Sequence, residues 1–72
     1  MNSLYDACRY FERKTGFASM EVLEQMEQLS MEKKIEVLIE MADNVAPDEF
    51  ESNPEIVLEF VEKYSKLERE SS

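Results

Sequence analysis

The chain has 72 residues, the size of one small domain, and its apolar content of 43% is enough for a hydrophobic core. It contains no histidine, one cysteine and one glycine, which excludes a Cys/His metal site, an internal disulfide and a glycine-rich phosphate loop. Seventeen acidic against eight basic residues give a formal net charge of −9, which disfavours nucleic acid and anionic membranes as direct partners.

The first predicted helix covers residues 4–15. Ser3 precedes it as a cap, and Asp6 three residues later completes a capping-box pattern. Basic residues occupy the last turn, where the helix dipole favours them, and Gly16 can then adopt the left-handed conformation that ends many helices. Helical spacing places four apolar residues on one face of this helix, namely Leu4, Ala7, Cys8 and Phe11.

The second and third predicted helices cover residues 20–29 and 31–45, with Ser19 and Ser30 as their caps. One continuous helix is not expected, because the apolar row of residues 20–29 would continue onto charged positions. The apolar row of residues 31–45 lies on nearly the opposite side, so we predict a turn at Ser30. Pro47 disfavours a helical conformation at the residue before it and ends the third helix.

Residues 47–52 are predicted to form a linker with one loose turn anchored by Phe50. Asn53-Pro54-Glu55 is a typical helix start, with a cap, a proline and an acid in the first turn. The last helix is predicted over residues 54–67, and residues 68–72 are expected to fray. Residues 1–72 are therefore predicted to form a single all-α domain, a small bundle of four short helices without a sheet.

The negative charge is concentrated in residues 35–62, which contain nine acids and no base. Six of these acids form two rows at i, i+4, i+7 spacing, one in the third helix and one in the last. We consider two interpretations: a solvated surface that keeps the protein soluble, or a binding surface for a basic patch on another protein. The rows consist of Glu36, Glu40 and Asp43, and of Glu55, Glu59 and Glu62.

Catalysis is not expected, because the chain has no histidine to activate a nucleophile. Cys8 lies on the apolar face of the first helix, where a thiol usually acts as a small buried hydrophobe. No catalytic residue, metal site or cofactor is predicted. The first apolar stretch is interrupted by charges and does not resemble a signal peptide, and a single cysteine suits a reducing compartment. We therefore predict a cytoplasmic protein.

Five apolar residues lie outside the predicted core arcs. Val37 and Met41 lie beside the acidic row of the third helix, Leu58 lies in the last helix, and Tyr5 and Tyr10 flank the arc of the first. The chain also contains five methionines, whose flexible side chains suit surfaces that accept varied apolar partners. An apolar strip that contains methionine and is bordered by acids is typical of a groove for a partner helix.

Two segments, LYDACRYFERKTG at residues 4–16 and LSME at residues 29–32 followed by Ile35, Leu38 and Ile39, resemble the beginning of some phage tail assembly chaperones. The resemblance covers residues 1–45 and carries no site residues to transfer. It implies an acidic helical protein that shields an aggregation-prone helical tape-measure protein before the tail is built.

Two functions follow as hypotheses. The first is a non-catalytic accessory chaperone or adaptor, of the phage type, that binds a helical partner protein through the apolar strip. The second is an acidic inhibitor that occupies the basic nucleic-acid-binding surface of a polymerase or nuclease. Salt distinguishes them, because only the inhibitor's binding should weaken strongly as ionic strength rises. A homodimer with a self-complementary strip is a third possibility.

Overall fold

The computed structural model describes residues 3–71 and, within that range, contains five helices and no strand. This confirms the predicted all-α class, with five helices where four were predicted. The helices are α1 (Leu4–Thr15), α2 (Ser19–Glu24), α3 (Met31–Asn44), α4 (Pro47–Ser52) and α5 (Ile56–Ser71).

Helix α1 has the predicted bounds and the predicted ends. At its start, the Ser3 side-chain oxygen accepts a hydrogen bond from the Asp6 amide at 3.2 Å. At its end, Gly16 adopts the left-handed conformation (φ 78°), and its amide donates to the carbonyl oxygen of Glu12 at 2.9 Å. The hydroxyl of Thr15 donates to the Phe11 carbonyl at 2.8 Å, which helps to close the last turn.

Helix α2 is shorter than predicted. It begins at Ser19, with Ala18 at the cap position, and ends at Glu24, so residues 25–29 of the predicted helix are not α-helical. Here the chain forms turns closed by hydrogen bonds between residues three apart (i+3 to i). One of them runs from the Leu29 amide to the Met26 carbonyl at 2.9 Å. Such bonds wind the backbone more tightly than an α-helix, and in this segment both of these apolar side chains are buried.

The predicted turn at Ser30 is confirmed. The side-chain oxygen of Ser30 accepts from the Lys33 amide at 3.3 Å and caps α3. Helix α3 ends at Asn44, one residue before the predicted end at residue 45.

The prediction of a linker over residues 47–52 is wrong, because these residues form α4. Pro47 occupies the first turn, where its missing amide hydrogen costs nothing. The acidic residues of this turn stabilise the helix by interacting with the positive end of its dipole. Phe50 anchors this short helix: its ring centroid lies 5.6 Å from that of Phe11, edge to face, and 5.5 Å from that of Phe17. Packing against these two rings, and not helix propensity alone, accounts for α4.

Helix α5 begins at Ile56, after a turn at residues 54–55, and extends to Ser71, past the predicted end at residue 67. Residues 68–71, for which fraying was predicted, are helical here, and residue 72 lies outside the described residues. Two polar contacts join α5 to the segment between α2 and α3. The Ser30 amide donates to a Glu68 carboxylate oxygen at 3.0 Å, and the Gln28 amide group donates to the Ser65 hydroxyl at 3.0 Å.

Helix α3 is the centre of the fold, since it packs most extensively against α1 and next against α5. The buried apolar side chains form one continuous core around it. Within residues 3–71, no helix has both the length and the apolar character needed to cross a membrane. The largest fully buried side chains are Phe11, Met26, Val37, Leu38, Met41 and Val61.

Candidate functional site

The apolar strip predicted from Val37, Met41 and Leu58 is not a surface. Val37 and Met41 are both 0% exposed, and only Leu58, at 47%, reaches solvent. The prediction is wrong because helical periodicity shows which residues share a face but not how many neighbours cover a helix. Since α3 lies between α1 and α5, its second apolar face is also buried.

The acidic row of α3 is exposed or half-buried, but each carboxylate is engaged within the chain. Lys33 pairs with Glu36 at 3.1 Å, and Lys63 of α5 pairs with Glu40 at 3.4 Å. Asp43 accepts a hydrogen bond from the hydroxyl of Tyr10, a contact between α3 and α1. This hydrogen bond is the main cause that raises the pKa of Tyr10 above its ordinary value of 10.0. The row thus stabilises helix packing in addition to facing solvent.

The second predicted row, Glu55, Glu59 and Glu62, is exposed. Glu62 lines a shallow depression together with Lys66 and other residues of α5. The six predicted carboxylates therefore do not form one uninterrupted acidic surface, because the Lys63–Glu40 pair and Lys66 place positive charge between or beside them.

An apolar depression lies between α1 and α2, at a place where no site was predicted from the sequence. We call it the α1–α2 groove; its volume is about 430 Å³. Tyr5 and Met20 are 67% and 68% exposed, while Cys8 and Leu23 are half-buried. The residues that line the groove are Leu4, Tyr5, Cys8, Arg9, Glu12, Ser19, Met20 and Leu23.

A sequence signal for this groove exists. In α1 the pair Leu4 and Cys8, and in α2 the pair Met20 and Leu23, add a second apolar row beside the residues that enter the core. An apolar arc wider than one neighbouring helix can cover leaves part of itself exposed. The sequence does not show that the second apolar row of α1 and that of α2 face each other.

Glu12 fixes the two walls of the groove relative to each other. One oxygen of its carboxylate accepts from the Ser19 amide at 3.0 Å and from the Ser19 hydroxyl at 2.8 Å. The amide hydrogen bond, followed by the hydroxyl one, lowers the pKa of Glu12 below its ordinary value of 4.5, and the nearby charge of Arg9 lowers it further. A side chain of α1 thereby holds the first residue of α2.

Arg9 stands at the edge of the groove and is held by Tyr5, one helical turn before it. Its guanidinium group donates to the Tyr5 hydroxyl at 3.3 Å and lies 5.8 Å from the centroid of the Tyr5 ring. Among residues 3–71, no carboxylate lies within 4 Å of the Arg9 guanidinium. The side chain that it contacts is the uncharged Tyr5, while its charge acts over a longer distance on Glu12.

Over residues 3–71, no three acidic or cysteine side chains are grouped so that they could hold a metal ion. Cys8 is a free, half-buried thiol in the wall of the groove. Comparison of the chain with protein-family models, with curated proteins and with solved structures gives no match.

Proposed function

We propose that the chain acts by binding another protein rather than by catalysis, and that the α1–α2 groove receives the apolar face of a helix from that partner. The observation that carries this proposal is the exposure of Tyr5 and Met20 side by side with the half-buried Cys8 and Leu23. Helices commonly bind in apolar grooves through side chains spaced about one turn apart. Tyrosine and methionine supply large, adaptable contact area in such sites.

Contacts within the chain hold the two walls of the groove together, which favours this use. The two hydrogen bonds from Ser19 to Glu12 hold α2 against α1. A site whose walls are already fixed loses less conformational entropy on binding than a flexible one. The proposed site differs from the strip predicted from sequence, whereas the proposed kind of partner, a helical protein, is the same.

The resemblance to phage tail assembly chaperones supports a more specific form of the proposal. The α1 wall of the groove lies inside residues 4–16, one of the two segments that carry the resemblance. On this basis the partner is a long helical protein whose apolar face is shielded until it assembles. The free thiol of Cys8 suits a cytoplasmic site of action.

Cys8 provides the test, because it is the single cysteine of the chain and it lines the groove. The experiment measures the rate at which Cys8 reacts with a thiol reagent, with and without a designed amphipathic helical peptide. Peptide binding in the groove should slow the reaction. Met20→Glu should abolish this protection, whereas Met31→Glu should retain it, since Met31 is similarly exposed (59%) but does not line the groove.

Equal protection in both variants would show that the peptide binds elsewhere and would contradict the proposal. A second copy of the chain is the competing occupant of the groove. In that case Cys8 would become protected as the concentration of the protein alone rises. Sedimentation would then show a dimer that Met20→Glu dissociates.

The acidic inhibitor remains the second candidate, and one observation favours it. Residues 46–62 contain no lysine or arginine, and all six of their acids are exposed: Asp48, Glu49, Glu51, Glu55, Glu59 and Glu62. Binding to a lysine-rich peptide at low and at high salt tests this candidate. Glu55→Gln with Glu59→Gln should weaken that binding more than Glu36→Gln with Glu40→Gln, because the latter carboxylates already pair with lysines. An equal effect would argue against it.

A further inference from the structure

At the edge of the α1–α2 groove stands a guanidinium group that forms no ion pair with a carboxylate among residues 3–71. Two charged residues line the groove, Arg9 and Glu12. One oxygen of the Glu12 carboxylate already accepts both hydrogen bonds from Ser19, so this acid is committed to the contact between α1 and α2. Glu12 keeps its negative charge but is held at the contact with Ser19. Arg9 is therefore the charged residue of the groove whose hydrogen-bond donors remain for a partner, in a protein with a net charge of −9.

Arg9 is oriented for binding an anion. Its guanidinium stacks over the Tyr5 ring and donates to the Tyr5 hydroxyl, so the planar fork of donors is held in place at the groove edge. A carboxylate is the protein group that matches this fork, through two parallel hydrogen bonds. Neither interaction with Tyr5 neutralises the positive charge, and no carboxylate among residues 3–71 lies within 4 Å of it.

We infer that the groove selects a partner helix that carries a carboxylate beside its apolar face, and that Arg9 binds this carboxylate. The inference rests on the proposed function and names the charge pattern of its partner. Arg9 lies one turn after Tyr5 on α1, so the carboxylate belongs about one turn from the apolar residue that contacts Tyr5. Repulsion from the acidic surface of the chain is screened beyond about 8 Å at physiological salt, so a single acid at the groove edge is tolerated where an acidic chain is not.

The test uses three helical peptides of about 18 residues, longer than the ~12–15 at which isolated helices become stable in water. All three share a leucine stripe and differ only in one residue that flanks it, which is Glu, Gln or Lys. Two sets place this residue before or after the stripe, because the partner helix can run in either direction. Binding to the full chain is measured by fluorescence anisotropy for the wild type, Arg9→Gln and Arg9→Glu.

In one of the two sets, the wild type should bind the Glu peptide about fivefold more tightly than the Gln peptide, the effect of one charge pair at a partly exposed edge. Arg9→Gln should remove this preference, and Arg9→Glu should reverse it toward the Lys peptide. Attraction of the Lys peptide to the remaining acidic surface is common to all variants, so the ratio of Glu to Lys affinities is compared between them. Lys66→Gln, which removes one positive charge from α5 away from the groove, should behave as the wild type.

The possible failures are distinguishable. If all peptides bind equally well and Met20→Glu abolishes that binding, the groove is the site but the inference about Arg9 is wrong. If Met20→Glu leaves binding unchanged, or if no peptide binds, both the proposed function and the inference are overturned. Circular dichroism of each variant establishes that the helices are intact.

Discussion

Glu12 in α1 holds Ser19 in α2 through two hydrogen bonds to the same carboxylate oxygen, at 3.0 Å from the amide and 2.8 Å from the hydroxyl. Helix α2 has only six residues, and Ala18 at its cap position offers no side-chain cap. A carboxylate from the preceding helix thus does what a capping side chain does elsewhere: it satisfies a free amide at the start of the helix.

This contact makes the stability of the fold dependent on pH. The pKa of Glu12 is lower in the folded chain than its ordinary value of 4.5, so ionised Glu12 stabilises the fold above that pH. As the pH falls through the lower folded pKa, this contribution is lost. Urea unfolding at pH 7 and pH 3 should show a smaller loss of stability on acidification for Glu12→Gln than for the wild type. Glu24→Gln changes an exposed acid at the end of α2. This variant should lose as much stability on acidification as the wild type.

The contact between Tyr10 and Asp43 should produce the opposite behaviour at alkaline pH. The pKa of Tyr10 is raised above 10.0, so the neutral phenol stabilises the fold below that pH, and this contribution disappears as the pH rises through the higher folded pKa. Ultraviolet titration should therefore contain a late transition from Tyr10, above its ordinary pKa of 10.0. Tyr10→Phe should remove that late transition, and Tyr5→Phe should leave it in place. Loss of the late transition in Tyr5→Phe would contradict the assignment.

Burial of Met41 predicts a large effect on stability and none specific to binding. Met41→Ala should lower the free energy of unfolding by about 2–5 kcal/mol, since it opens a cavity in the core. Met31→Ala, at a position that is 59% exposed, should change it by no more than about 0.5 kcal/mol. Chemical denaturation of both variants measures the difference. Similar losses of unfolding free energy in the two variants would place Met41 at the surface, as its position beside the acidic row had predicted.

Gly16 should be sensitive to substitution through its backbone alone. Its φ of 78° lies in the left-handed region, and a Cβ atom added there would meet no atom within 4 Å. Gly16→Ala should therefore cost about 1–2 kcal/mol of backbone strain without any steric clash. Gly16→Asn should cost less, because asparagine tolerates this conformation better than alanine. Equal costs for the two variants would show that strain at this position is not the determining factor.

The sequence predicts those features of the fold that depend on neighbouring residues. Helix α1 has the predicted ends because Ser3 and Gly16 act on the backbone within four residues of themselves. Helix α4 was missed because six residues form a stable helix only when Phe50 packs against rings from other parts of the chain.

The candidate site was predicted incorrectly for a related reason. Residues near Val37 have the same apolar pattern whether one helix or two cover α3, so periodicity alone could not show that this side chain is buried. The α1–α2 groove depends on how α2 is placed against α1. That placement involves Glu12 and Ser19, two residues that sequence reasoning had no basis for pairing.

The bonds from Gln28 to Ser65 and from Ser30 to Glu68 join positions that are 37 and 38 residues apart. The junction between α2 and α3 is therefore completed by α5, which is synthesised after both. A nascent chain that stops short of Ser65 has both sides of the future groove but lacks the contacts that lock the segment after it. The segment that connects the groove to α3 is consequently locked only after α5 has been synthesised and has docked.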